Sequence, residues 1–94
     1  MEWKTTFWMD FTIADAFGHD AVRDTFDRAF EEWRDDYVYL TELVIVLNWK
    51  IWQHYDNGNE QLSRLYDELW READGFAFDT LKDDELVYFC KMTD

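Results

Sequence analysis

Proline does not occur in this chain of 94 residues, glycine occurs three times and cysteine once. Without proline no position forces a helix to stop, so breaks must come from glycine and from short polar residues. The single Cys90 excludes an intramolecular disulfide and a cysteine-built zinc cage, and it fits a reducing compartment. No long hydrophobic run is present either. The longest apolar region, Val38 to Trp52, contains Glu42 and Lys50 and falls short of the ~20 residues needed to cross a bilayer; it reads as a core helix. Lys4 precedes Phe7-Trp8-Met9, but Asp10 then interrupts the apolar stretch, which does not suit a secretory signal. A cytoplasmic location is therefore expected. Bases are also scarce: nine Lys and Arg stand against 22 acids, for a net charge of −13. Such a charge repels nucleic-acid phosphates and anionic membranes, so neither direct nucleic-acid binding nor membrane association is expected.

What the chain has in quantity is aromatic side chains, which make up 20% of its residues within a hydrophobic content of 48%. High net charge with low hydrophobicity marks disorder, and this chain lacks the second half of that signature. Each large aromatic buries roughly 150–250 Å², so a single small core can form without disulfides.

Gly18, Gly58 and Gly75 divide the sequence into lengths suited to helices. The first segment, Thr5 to Phe17, opens on a capping threonine and ends before Gly18, with Phe7, Phe11 and Ala14 on one face. Asp20 is placed to cap a second helix. Its apolar residues Val22, Phe26, Ala29, Phe30 and Trp33 recur at steps of four, three, one and three. Asp35-Asp36 marks a break. Tyr37 to Tyr55 reads as a third helix with Leu40, Leu43, Val44, Leu47 and Ile51 on its main face. Val38, Ile45, Val46, Trp49 and Trp52 lie on the opposite side, so this helix should be central, packed on more than one flank. The run Leu43 to Leu47 has strand-like composition. Its pattern continues through Ile51 and Trp52 without turn residues, and no second such run exists to pair with it, so helix is the expectation. Asp56-Asn57-Gly58-Asn59 makes a turn. Helix four, started by Asn59 or a neighbour, carries Leu62, Leu65, Tyr66, Leu69, Trp70 and Ala73; Gly75 then interrupts, and Phe76-Ala77-Phe78 either continues the helix or forms a packed connection. Asp83-Asp84-Glu85 suits the first turn of a last helix through Met92, with Leu86, Phe89 and Cys90 inward. The expected fold is all-α: one compact domain over residues 1–94, a bundle of four to five helices.

No catalytic or metal-binding constellation emerges. His19 falls in an inter-helix turn, and His54 near a helix C-terminus, where a cation suits the dipole; structural or surface roles are expected of both. Cys90 beside Phe89 reads as a small core hydrophobe rather than a nucleophile. Asp56-Asn57-Gly58-Asn59-Glu60 lacks the ligand spacing of a calcium loop, since its glycine comes too early and the final glutamate is missing. Neither histidine follows a glutamate by three residues, as a carboxylate-bundle metal site requires, and no phosphate-cradling glycine loop occurs. The expectation is a non-enzyme without cofactor.

Charge placement is the feature above background. Asp20, Asp24, Asp27, Glu31 and Asp35 follow steps of four, three, four and four, forming one acidic stripe along helix two. Residues 1–36 carry ten acids and four bases and residues 59–94 the same, whereas residues 37–58 carry two and one. Two readings stand side by side. The stripe can be a solvated face that keeps an aromatic-rich domain soluble. Alternatively it imitates phosphates and occupies the basic groove of a nucleic-acid-binding protein, because the helical rise spaces its charges at roughly 5–6 Å. Trp3, Trp8, Trp49 and Trp52 exceed what so small a core takes in, so one or two are expected to be exposed anchors, with Trp33 and Trp70 filling the bundle. Trp49 and Trp52 join the stripe as candidate partner-binding residues, and self-association through exposed Trp and Tyr is the second reading.

The opening Met1 to Asp15 (Met-Glu-Trp-Lys-Thr-Thr-Phe-Trp-Met-Asp-Phe-Thr-Ile-Ala-Asp), together with Tyr37-Val38-Tyr39-Leu40-Thr41-Glu42-Leu43-Val44, resembles a group of small proteins of bacterial mobile elements, especially conjugative elements and phages of gut bacteria. The resemblance extends over most of the chain and implies a setting rather than a site. Mobile elements encode small acidic proteins that block host defence, anti-CRISPR proteins among them. By size and charge the chain is then expected to be an anti-defence inhibitor of a basic nucleic-acid-binding protein. The alternative is an accessory or structural protein of the element's transfer or replication machinery.

Overall fold

The structure is a computed structural model that describes residues 6–94. Five helices follow one another: α1 (Phe7–Phe17), α2 (His19–Trp33), α3 (Tyr37–Asp56), α4 (Glu60–Thr80) and α5 (Asp83–Thr93). The chain is all-α, and no strand occurs among the described residues. Leu43 to Leu47 lies within α3, so the uninterrupted apolar pattern outweighs the strand propensity of its β-branched residues.

α3 is the central element and packs against each of the other four helices. Leu40, Leu43, Val44 and Leu47 are all buried along it. Around them gather Phe7, Phe11 and Ala14 of α1, Val22 and Phe26 of α2, Leu65, Tyr66, Leu69, Ala73 and Ala77 of α4, and Phe89 of α5. Phe11 meets Tyr66 edge to face with ring centroids 5.7 Å apart, and Phe26 stacks on Phe30 at 5.3 Å. Trp33 and Trp70 are half-buried against this core, as is Cys90.

Local chemistry explains most of the helix ends. Asp36 caps α3, its Oδ1 accepting from the amides of Val38 at 3.1 Å and Tyr39 at 3.4 Å. Asn59 caps α4 through the amide of Leu62 at 3.2 Å. One expected boundary differs. Asp20 does not cap α2: Gly18 is the N-cap and His19 already begins the helix, leaving Asp20 as an acid in the first turn, where the helix dipole favours it. Thr5, the expected cap of α1, lies outside the described residues; Thr6 precedes α1 and donates from Oγ1 to Asp10 at 2.9 Å. Of the two continuations open after Gly75 the helical one holds, and α4 runs on to Thr80. Ala73 and Ala77 on either side of Gly75 are fully buried, and this packing offsets the roughly 0.5–1 kcal/mol that a mid-helix glycine costs.

Gly18 joins α1 to α2 alone, as the C-cap of one and the N-cap of the other, at φ 103° and ψ −168°. That backbone conformation is essentially restricted to glycine. A methyl group at Gly18 would meet nothing within 4 Å, and neither would one at Gly75, so the two positions separate backbone strain from steric fit. In urea titrations Gly18→Ala is expected to destabilise the fold by about 1–3 kcal/mol, and Gly75→Ala to stabilise it by about 0.4–1 kcal/mol. A neutral Gly18→Ala would show that the junction is not held in this conformation.

Candidate functional site

The sequence singles out the acidic stripe and the tryptophans, and the structure adds a buried polar cluster that sequence reading missed. Positions 43, 47, 50 and 54 form one inward row of α3. The first two are Leu43 and Leu47, but the next two are Lys50 and His54, both buried. Lys50 is fully enclosed and keeps its charge partnered. An ammonium has three protons, and the Lys50 Nζ donates to Thr12 Oγ1 at 2.8 Å, Asp15 Oδ2 at 3.0 Å and Gln53 Oε1 at 3.0 Å. The Trp8 ring closes the remaining side, its centroid 4.2 Å from Nζ, within the range of a cation–π contact.

Asp15 is the hub. Its Oδ2 accepts from Lys50 and lies 2.9 Å from His54 Nε2; an ionised carboxylate only accepts, so His54 carries a proton on Nε2. Its Oδ1 accepts from the Tyr66 hydroxyl at 2.5 Å. The carbonyl of Phe11 lies farther from that hydroxyl, at 3.4 Å, so the phenol donates its single hydrogen bond to the carboxylate. His54 stacks on the Tyr66 ring with centroids 5.4 Å apart, and Thr12 passes its own proton to the Trp8 carbonyl at 2.7 Å. Burial, the hydrogen bond to Asp15 and the charge of Asp15, in that order, push the Tyr66 phenol far above its ordinary value of 10.0.

Chemically this arrangement is a clamp. It ties α1 (Thr12, Asp15) to α3 (Lys50, Gln53, His54) and α4 (Tyr66), and its proton donors and acceptors point at one another rather than into an open cleft. A second enclosed acid, Glu42, is buried along α3. The Tyr88 phenol of α5 is raised first by burial and then by the charges of Tyr37 and Glu42, and the Tyr37 and Tyr88 rings meet edge to face at 5.3 Å. Among the described residues no group of three or more His, Cys, Asp or Glu is placed to hold a metal ion, and no helix is long and apolar enough to cross a membrane.

Asp20, Asp24, Asp27 and Glu31 are all exposed on α2, and Asp24, Asp27 and Glu31 form no ion pair among the described residues. Asp20 lies 3.7 Å from His19. Asp35 departs from the expected stripe: α2 ends at Trp33, and Asp35 sits in the turn to α3. The helical line is therefore four acids long. Arg23 leans away from it toward Glu68 of α4 at 3.7 Å, and Arg28 bonds the Asp24 carbonyl at 3.4 Å rather than an acid.

The tryptophans divide. Trp49 and Trp52 are 48% and 56% exposed. Trp49 meets Trp8 edge to face at 6.2 Å and Trp52 meets Tyr55 at 5.7 Å. Trp3 lies outside the described residues. The outer side of α1 is also apolar, with Met9, Ile13 and Phe17 exposed. Two open troughs flank these surfaces. One, of about 400 Å³, runs between α1 and α2 over Phe7, Ile13, Ala29 and Trp33. The other, of about 390 Å³, is lined from α3, α4 and α5 by Val44, Trp49, Trp70 and Met92. Compared with family models, curated proteins and solved structures, the chain has no match.

Removing one partner of the clamp strands a buried charge, whereas replacing both does not. Asp15→Leu alone is expected to cost about 3–5 kcal/mol in urea unfolding, and the double variant with Lys50→Met less than the sum of the two single changes. Strict additivity would mean that the two groups are uncoupled. The raised Tyr66 phenol has a defined sign: its folded value lies above its unfolded one, so its contribution is complete below pH 10 and falls as pH rises, by about 1.4 kcal/mol per pH unit. Stability followed from pH 9 to pH 12 is expected to decline less steeply in Tyr66→Phe, with Tyr88 supplying a residual slope of the same sign.

Proposed function

We propose that this protein is a non-catalytic binding protein whose acidic α2 surface engages a basic, nucleic-acid-binding partner protein. The observation that carries this reading is the line Asp20, Asp24, Asp27 and Glu31: four acids on one outward face of a continuous helix, the last three without an ion pair among the described residues. In a chain of net charge −13 that face presents a row of negative charge at roughly 5–6 Å intervals, comparable with phosphates along a strand. It presents this row without a nucleic acid's bases, so affinity for a groove would rest on charge and fall with salt. The clamp supports the non-catalytic part of the reading, because its polar atoms are committed to one another. The anti-defence setting in a mobile element rests on the resemblance of the opening and α3 segments alone.

A second reading has its own observation. The exposed Trp49 and Trp52, continuous with Trp8, form an aromatic surface of the kind found at the centre of protein interfaces, which suits an accessory component of a larger assembly.

The two separate in one experiment: capture of proteins from host-cell lysate at low and high salt, by the native chain and by the triple variant Asp24→Lys, Asp27→Lys, Glu31→Lys. A nucleic-acid-binding protein retained at about 0.1 M salt, released near 1 M and lost in the variant is the expected result. Capture that survives both high salt and charge reversal would sink the acidic-face reading and favour the aromatic surface.

A further inference from the structure

The trough between α1 and α2 has a chemistry that the acidic face alone does not explain. Its floor is apolar, from Phe7, Ala29 and Trp33, and Ile13 forms its outer wall while remaining 55% exposed. Asp10 and Glu32 stand on its rim together with Arg28, and by helical phase Asp24, Asp27 and Glu31 follow farther round α2, past Arg28. An apolar slot edged by acids is complementary to one kind of surface, an apolar ridge flanked by cations. We propose that the α1–α2 trough seats a basic amphipathic helix of the partner protein, with apolar anchors in the slot and lysines or arginines against the acids. The inference rests on the acidic-face reading and adds the partner's secondary structure and its anchor spacing.

Length supports this occupant. On α2 the lining runs from Thr25 to Trp33, about 12 Å at roughly 1.5 Å per residue. Two turns of a docked helix fit that span, with anchors at i, i+3 or i+4, and i+7. Charge selects among occupants of similar shape. A second copy of this chain would bring another −13; its exposed apolar face on α1 carries Asp10 and no base within Phe7–Phe17, and on α3 the Lys50 beside exposed Trp49 and Trp52 is fully buried. An anionic lipid surface is repelled on the same ground.

The test uses the full chain and a designed Lys/Leu amphipathic peptide of about 18 residues with leucines at i, i+3, i+4 and i+7, beside a Glu/Leu peptide of the same pattern. Affinity is measured by calorimetry, and the binding face by amide shifts in nitrogen-15 spectra. The Lys/Leu peptide is expected to bind and the Glu/Leu peptide not to, with shifts gathered on α1 and α2. The decisive variant is Ile13→Asp, which makes the chain more negative while removing an apolar wall that is half exposed and so dispensable for folding. Docking in the slot predicts weakening by about tenfold or more; attraction by charge alone predicts equal or tighter binding and overturns the proposal. Shifts centred on Trp49 and Trp52 overturn it as well, as does failure of the Lys/Leu peptide to bind. Self-association that Ile13→Asp abolishes would make the occupant a second copy and likewise overturn it. The triple reversal of Asp24, Asp27 and Glu31 keeps the two readings apart. If it abolishes lysate capture while Ile13→Asp leaves peptide binding intact, the acidic-face reading stands and the trough is not its anchor site.

Discussion

Enclosing an ammonium group requires that each of its protons find an acceptor, because a stranded buried charge costs several kcal/mol. Lys50 sets that requirement at the centre of this fold, and Thr12, Asp15 and Gln53 meet it. Two of the three acceptors belong to α1, so the position of α1 along α3 is fixed by a polar demand as well as by apolar packing. A shift of α1 by one helical turn, about 5.4 Å, would carry Thr12 and Asp15 out of reach and leave Lys50 unpaired. Apolar contacts among Phe7, Phe11, Leu43 and Leu47 tolerate sliding far better than three directed hydrogen bonds do. The same carboxylate holds His54 and Tyr66, which extends the constraint to α4.

This division of labour leaves the surface free to carry a different chemistry. With α1 anchored through Phe7, Phe11, Ala14 and the clamp, its outer residues Met9, Ile13 and Phe17 are not needed for the core, and they remain exposed. α2 is held by Val22 and Phe26, and its outward acids face solvent for the same reason. Burial on one face of each helix thus accounts for the stability of the pair, and the opposite faces together form the apolar and acidic surface on which the proposed activity rests.

Features of the fold that depend on neighbours in sequence are legible in the order of residues alone. The period of Val22, Phe26, Phe30 and Trp33 marks α2, Asp36 marks the start of α3, and Asn57-Gly58-Asn59 marks the turn to α4. Gly75 leaves the continuation of α4 open because its local signal is a break, while the burial of Ala73 and Ala77 that carries α4 through it is a tertiary effect. Asp35 misleads, continuing the spacing of the stripe after the helix has ended. The clamp is illegible for a further reason: its members lie 35, 39 and 51 positions from Asp15, and each looks ordinary alone. One signal does exist. Lys50 and His54 continue the row of Leu43 and Leu47, and a charged residue on a buried row requires a partner elsewhere in the chain.

The junction between α1 and α2 is a single residue, and this turns chain length into an angle. Successive residues of a helix point about 100° apart, so one residue inserted beside Gly18 has two ways to be absorbed. Either the junction lengthens and α2 loses its seat on Val22 and Phe26, or α2 turns by that angle and its acids rotate toward a neighbouring helix. In a chain with a long linker the same insertion would pass unnoticed. Here the phase of α2, and with it the direction in which its charges face, is locked to α1 by the absence of slack.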